Sequence, residues 1–255
     1  MDIRDYNRKA WDAQVESNNI WTQPVSSEEV NRARKGDWSI VLTPTIPVPK
    51  EWFPPLQDCD VLCMASGGGQ QGPILAAAGA NVTVLDNSPK QLSQDLRVAE
   101  RDQLSIQLIE GDMADMKELS DASFDLIINP VSNCFVPSVP PIWKEAFRVL
   151  RKGGSLLAGF GNPVLFSLDR DLEEVGVLQI KHSIPYSDLN SLTEEERKRI
   201  LRPNDPIEFG HSLQDQIGGQ IEAGFAITGF FEDAGGEYLL NRKMPCFLAT
   251  RATKL

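Results

Sequence analysis

An open, doubly wound α/β sheet is the fold class that this chain predicts, on three observations. The apolar run 61–65 breaks straight into Gly67-Gly68-Gly69 and then into a helical stretch over 71–78. The β-rich run Val82-Thr83-Val84-Leu85 closes on Asp86 and is followed by a clear helix start. Two further runs, 105–109 and 124–128, also end in small or polar residues, Glu110-Gly111-Asp112-Met113 and Asn129-Pro130-Val131-Ser132-Asn133. Strands alternating with helices point to a parallel sheet, and ligands of such sheets lie outside the carboxyl ends of the strands.

Residues 1–55 read as a cap ahead of that sheet. Ser26-Ser27-Glu28-Glu29 is a capping-box start for a short helix closing near Gly36. Five prolines between Thr43 and Pro55 suit a stiff, extended connector. Trp11, Trp21, Trp38, Trp52 and Phe53 all fall in this region. They can anchor the cap by aromatic packing, form a lid over a ligand, or do both.

The first strand and its glycines follow, at the start of a core over 56–161. A strand delivers the chain to the sheet edge, and glycines let the backbone turn close to a ligand without Cβ clashes. Amides at the start of the next helix can then face polar groups. Gly67-x-Gly69-x-x-Gly72 fits the dinucleotide pattern G-x-G-x-x-G, which by itself also describes a tight strand-to-helix turn. Asp86 stands where a carboxylate accepts hydrogen bonds from two ribose hydroxyls, in NAD or in an adenosine, unless it is a plain turn residue. Ser88-Pro89-Lys90-Gln91 combines a serine N-cap, a proline at the first helical position and a glutamine at the third. This helix is expected to reach Asp102, with Leu92, Leu96 and Ala99 on its apolar face.

Strand five is expected over 155–160. The segment 162–212 after it is longer than a crossover needs, and unstructured loops of that length are rare. It is expected to hold short strands and a helix starting at Thr193, and to overhang the sheet edge as a lid. Residues 213–255 then supply the end of a helix over 212–223, closed by Gly224 as its C′ residue. A strand over 225–231, a polar stretch with Gly235-Gly236 and an apolar run over 246–250 complete a hairpin. All four parts are expected to make one domain over 1–255.

With these residues in place, the chain resembles the class I S-adenosylmethionine-dependent methyltransferases. The resemblance rests on Val61-Leu62-Cys63-Met64-Ala65-Ser66-Gly67-Gly68-Gly69, Val84-Leu85-Asp86, Gly111-Asp112-Met113 and Phe124-Asp125-Leu126-Ile127-Ile128, in that order. Arg148-Val149-Leu150-Arg151-Lys152-Gly153-Gly154 and Ala223-Gly224-Phe225 extend it. It is also similar to a bacterial subgroup with a Leu-Cys-x-Ala-Ser-Gly-Gly-Gly-Gln-Gln loop and Pro-Val-Ser-Asn after strand four. The family fold would be a seven-stranded, mostly parallel sheet with an antiparallel last strand, and the cofactor S-adenosylmethionine.

The resemblance also implies residue roles. Ala65, Ser66, Gly67 and Gly69 would face the amino-acid end of the cofactor, and Asp86 the ribose hydroxyls. Asn87 would lie beside the adenine, Asp112 with Met113 would hold it, and Asn129 would lie under the methyl-bearing sulfonium. Two positions depart from the family: Ala65 replaces its usual first glycine, and Cys63 replaces a common acid, so another oxygen must hold the methionine amino group. Asn129-Pro130-Val131-Ser132 lacks the second proline and the aromatic residue of the Asn/Asp-Pro-Pro-aromatic loop of amino-methylating enzymes.

Composition narrows the partners. A formal charge of −11 opposes nucleic acid, since phosphate contacts need clustered Lys and Arg. The one dense basic run, Arg197-Lys198-Arg199, follows Thr193-Glu194-Glu195-Glu196 and reads as a capped helix whose charges match its dipole. Four cysteines without C-x-x-C spacing and only two histidines make a zinc site improbable. No apolar stretch suits a signal peptide or a membrane span, so the reduced cytoplasm is the expected setting. Assembly into a homo-oligomer is left open.

His182, Tyr186, Asp188, Glu208 and His211 are the titratable candidates for work on a substrate. A base is needed only where the attacking atom starts out protonated, and histidine titrates near neutrality. His211 is the first choice, at the start of the helix leading to strand six. The competing reading makes it a helix-start residue bonded to backbone. The expected activity is methyl transfer to a small molecule. The alternatives are a noncatalytic protein that binds S-adenosylmethionine and, less favoured, an NAD-dependent oxidoreductase.

Overall fold

Apolar side chains in β1 (Asp60–Met64) alternate between two buried faces, Val61 and Cys63 to one side, Leu62 and Met64 to the other. A computed structural model, describing residues 1–255, puts this strand near the centre of a seven-stranded sheet. The other strands are β2 (Asn81–Asp86), β3 (Ile106–Glu110), β4 (Phe124–Asn129) and β5 (Leu150–Gly161). Past a small two-stranded pair, β6 (Tyr186–Ser187) and β7 (Phe209–Gly210), come β8 (Phe225–Asp233) and β9 (Phe247–Lys254). The order is β3-β2-β1-β4-β5-β9-β8. Pairing is parallel from β3 through β5, while β9 inserts antiparallel between β5 and β8. Strand order reverses between β1 and β4, which opens a crevice at their carboxyl ends.

The helices are α1 (Ile3–Glu16), α2 (Ser27–Ala33), α3 (Gln71–Ala77), α4 (Pro89–Asp102) and α5 (Pro140–Val149). Then follow α6 (Arg170–Glu174), α7 (Glu194–Ile200) and α8 (Gly219–Ala223). On one face of the sheet Val61, Val84 and Ile128 pack against Ile74, Leu75 and Leu92 of α3 and α4, with Leu42, Val48 and Trp52 of the connector. On the other face Leu62, Leu85 and Ile127 pack against Ile142, Trp143 and Ala146 of α5. Each of these Val, Leu and Ile side chains contributes about 1.5–3 kcal/mol by leaving water.

The capping boxes at Ser26 and Thr193 form as the sequence indicates. Two local expectations are corrected. Leu96 of α4 is 47% exposed, and the buried face carries Gln91 and Asp95 beside Leu92, Val98 and Ala99. These two polar side chains turn inward because the glycine loop, not an apolar surface, lies against that part of α4. The expected helix over 212–223 begins as a π turn, Gln214–Gly218, before α8. Gly224 does close it in the left-handed region.

The cap divides its aromatic residues between two tasks. Trp52 packs on Phe231 of β8 and Trp38 sets its edge on Phe53, with ring centroids 5.5 and 5.0 Å apart. Asp233, at the end of β8, pins the connector by accepting from Thr45 N, Thr45 Oγ1 and Ile46 N. Trp11 and Trp21 instead line the cleft described below. Within 162–212 the β6–β7 pair lies on the 3-10 turns after β4 (Asn133–Phe135) and after β5 (Pro163–Ser167). A Cβ on Gly210 would come within 2.5 Å of Phe166 Cβ, so a glycine is needed for β7 to lie this close.

Candidate functional site

A cleft of about 1370 Å³ runs along the carboxyl ends of the strands. Its floor comes from Ala65–Gly67, Leu85–Asn87, Gly111–Ala114 and Pro130–Ser132, and its walls from α1 and the 162–212 segment. That volume exceeds the range of about 300–1,000 Å³ typical for one small ligand and suits two molecules side by side.

The loop after β1 is held from several directions. Ala65 has φ +46°, so the residue in the family's glycine position does adopt the left-handed region. Alanine tolerates it at a cost of about 1 kcal/mol, which a β-branched residue would greatly exceed. Gly67 N–H donates to Asp86 Oδ2 at 2.8 Å, and Ser88 N–H donates to Asp86 Oδ1 at 2.9 Å. A Cβ on Gly67 would lie 2.8 Å from Gln91 Cβ and 3.0 Å from the Asp86 carboxyl, so this contact needs glycine. Burial pushes the Asp86 pKa up, while the amides of Ser88, Gly67 and Asn87 oppose that rise.

Sequence reasoning missed three parts of this frame. Asp95 is fully buried on α4 and accepts from Gly68 N at 3.0 Å. It supplies an acid beside the loop where Cys63 fails to, although it does not line the cleft. Gln70 and Gln71 stitch the loop to the cap: Gln70 Nε2 donates to Gln23 O at 3.0 Å, and Gln71 Nε2 donates to Val41 O at 3.4 Å. Arg4 is the third. Its Nε–H donates to Asn87 Oδ1 at 3.1 Å, Asn87 Nδ2 returns a bond to Arg4 O at 2.9 Å, and Asp112 Oδ2 lies 3.7 Å from Arg4 Nε. The serine and glutamine run at 88–91 announces a helix start, but no local pattern announces what its neighbours from α1 or the inward face of α4 will touch.

Asn87, Asp112 and Met113 all line the same end of the cleft. Asp112 Oδ1 accepts from Ala114 N at 2.8 Å, which fixes the turn after β3. Asn129 is fully buried; its Nδ2 donates to Met64 O at 3.0 Å and Ser132 Oγ at 2.9 Å, and its Oδ1 has no partner. Ala65, Ser66, Gly67, Asp86, Asn87, Asp112 and Met113 therefore share one cleft. Gly69 is set back from it, its carbonyl accepting from Val25 N–H at 2.9 Å instead, and Asn129 adjoins the lining residues Pro130–Ser132 in sequence.

His211 does not line this cleft. Its Nε2 lies 3.0 Å from Asn133 O and 2.9 Å from Val136 O, so its single N–H is directed at both carbonyls. Burial holds its pKa below the usual histidine value. These contacts match the helix-start reading and give the ring the work of fixing the turn after β4. His211→Ala is expected to lower the unfolding free energy by about 1–3 kcal/mol and to leave S-adenosylhomocysteine affinity within about twofold. Denaturant melts and calorimetry check the two parts. His182 sets its ring edge on Tyr186, centroids 5.2 Å apart, and is also outside the lining. Tyr186, Asp188 and Glu208 are brought together with Arg170, a partner that sequence reasoning had not named; of the four, Arg170 and Glu208 line the cleft.

A family model described as "Methyltransferase domain" matches residues 62–158. An uncharacterized methyltransferase of Bacillus subtilis, YbaJ, is 54% identical over 250 residues, covering 98% of each chain. The chain belongs to the class I S-adenosylmethionine-dependent methyltransferases. A sterol 24-C-methyltransferase of Aspergillus fumigatus shares 37% identity with this methyltransferase over 89 residues, which is 34% of this chain and 23% of the fungal one. For fold, the crystal structure of an S-adenosylmethionine-dependent methyltransferase from Mesorhizobium loti superposes with a TM-score of 0.61 at 16% identity, covering 80% of this chain and 94% of that one. One from Methanosarcina mazei superposes at 0.57 and 17% identity, covering 83% and 99%. The cofactor of this methyltransferase is S-adenosylmethionine, and the donor set fits it. Asp86 lines the cleft and keeps lone pairs that the protein leaves unused, and Asn129 Oδ1, next in sequence to the lining residues Pro130–Ser132, has no partner.

Proposed function

We propose that this methyltransferase acts on a small-molecule acceptor held in the same cleft as its cofactor. The carrying observation is the cleft itself, which continues from the Asp86–Asp112 end to walls built by the cap and the 162–212 segment. We take these two segments as parts of one domain, with 162–212 as its lid over the reacting end.

S-adenosylmethionine, when bound, supplies an electrophilic methyl carbon. The chain's own contribution is to bind and orient, which for an in-line displacement provides much of the barrier reduction. In this reading Asp86 accepts from both ribose hydroxyls, and its bonds from Gly67 and Ser88 fix the carboxylate plane. Asn87, Asp112 and Met113 border the adenine, with Arg4 of α1 closing that edge. Ala65 and Ser66 face the amino-acid end, and Gly67 and Gly69 shape the loop that carries them. Asn129 Oδ1 serves the sulfonium end, and its two Nδ2 bonds hold that oxygen in place. His211 has a positioning role on the turn after β4, not that of a base.

The test uses tritium-labelled methyl donor, the protein and a cell extract separated into dialysable and macromolecular fractions. Label transferred to the dialysable fraction is expected. Label only in protein or nucleic acid would contradict a small acceptor. No transfer with intact cofactor binding would favour the noncatalytic alternative.

A further inference from the structure

We propose that Glu208 is the acceptor-side catalytic carboxylate, binding the reacting nitrogen of an arylalkyl or similar amine and taking its proton. This deepens the methyl-transfer reading above and rests on it.

Topology places Glu208 in the half of the cleft that the cofactor residues leave free. Asp86 and Asp112 follow β2 and β3, on one side of the reversal in strand order. Glu208 immediately precedes β7, and the β6–β7 pair lies over the turns that follow β4 and β5, on the other side. Both Glu208 and Arg170 line the cleft.

Their bonding leaves one oxygen open. Asp188 is fully buried; its Oδ1 accepts from Tyr186 Oη at 2.7 Å and lies 3.5 Å from Arg170 Nη2, and its Oδ2 accepts from Glu208 N at 2.8 Å. Arg170 Nη2 also donates to Glu208 Oε2 at 3.1 Å. One guanidinium thus faces two carboxylates. Asp188 has both oxygens engaged, while Glu208 Oε1 makes no hydrogen bond within the protein. The surplus negative charge is therefore offered at Glu208.

The rest of the lining agrees on the sign of the acceptor. Nine Asp and Glu residues and four Arg line the cleft, with no Lys. Every one of those arginines already has a carboxylate: Arg4 with Asp112, Arg170 with Glu208 and Asp188, Arg199 with Asp171, and Arg202 with Asp205. An anionic acceptor would meet no free cation. Phe166, which packs on Tyr186, and the paired rings of Tyr238 and Phe247 also line the cleft, and aromatic faces favour a cation flanked by carbon. Burial raises the Glu208 pKa, which brings the carboxylate nearer to the range of a useful base.

The proton and electron accounts close without a further reactant. The amine arrives as R–NH3+ and transfers one proton to Glu208 Oε1. Its freed lone pair forms the N–CH3 bond as the C–S bond breaks with its pair passing to sulfur. The products are R–NH2+–CH3 and S-adenosylhomocysteine, and Glu208 returns its proton to solvent.

The test is binding, read by calorimetry on protein saturated with S-adenosylhomocysteine, of three probes that differ in charge: benzylamine, benzyl alcohol and benzoate. Benzylamine is expected to bind at least about tenfold more tightly than the other two. Glu208→Gln should reduce it to the level of benzyl alcohol, and Glu208→Asp should keep part of the preference. S-adenosylhomocysteine affinity should stay within about twofold in both variants. A preference for benzoate or benzyl alcohol, no binding of any probe, or a benzylamine preference that survives Glu208→Gln would overturn the proposal. Failure of the unsubstituted protein to bind S-adenosylhomocysteine would instead overturn the reading on which it rests.

Discussion

Asp86→Ala is expected to weaken S-adenosylhomocysteine binding by about 3 kcal/mol or more, roughly a hundredfold or beyond, from two charge-assisted hydrogen bonds of about 1.5–3 kcal/mol each. The carboxylate does two things at once. It carries the unused lone pairs in the cleft, and it accepts from Gly67 N and Ser88 N, which fixes the glycine loop against the end of β2. Alanine removes the ligand contacts and orphans both amides. Asp86→Asn keeps the shape and one acceptor oxygen, so its loss should be about half as large in free energy. Circular dichroism separates lost affinity from lost fold. Unchanged affinity in a folded Asp86→Ala protein would remove Asp86 from the site.

Asp95 should make stability depend on pH in a direction unusual for a carboxylate. Burial pushes its pKa up to about 8, against the opposing pull of the Gly69 and Gly68 amides. A folded-state pKa above the unfolded value of 3.8 means that the native protein holds this proton more tightly. The stabilisation is full below about pH 4 and is lost progressively as pH rises toward 8, on the order of 4 kcal/mol by pH 7. Asp95→Asn keeps an oxygen for Gly68 N–H and has no charge to bury. Its Tm should exceed that of the unsubstituted protein at about pH 9 and converge with it near pH 4–5. Melts across that range check the prediction, and parallel curves for the two proteins would contradict it.

Local pattern made the framework legible. The alternation in Val61–Met64, the helix start at Ser88-Pro89 and the Gly224 stop each depend on neighbours a few residues away, and each forms as read. The seven-stranded order with β9 inserted could be anticipated because the ordered motif set resembled one family. Ala65 is a case where composition hid a requirement: its left-handed backbone is the one glycine would adopt freely, yet the residue gives no sign of it.

What stayed illegible depends on contacts between distant segments. Leu96 fits the apolar spacing of α4 but faces solvent, while Asp95, one residue earlier, is buried because the glycine loop needs a partner there. His211 looked suited to catalysis by residue type, and only the positions of Asn133 O and Val136 O, more than seventy residues earlier, reveal its occupation. Arg4 joins Asn87 across 83 residues, and Arg170 joins Glu208 across 38. No spacing rule couples side chains at such separations; the sheet edge brings them together.

The central claim, that this cleft binds S-adenosylmethionine, is tested most directly by calorimetric titration of the purified protein with S-adenosylhomocysteine and, separately, with NADH. Binding of S-adenosylhomocysteine in the micromolar range, with none for NADH, is the predicted result. Binding of NADH without S-adenosylhomocysteine would contradict it and make Gly67–Gly72 a dinucleotide loop.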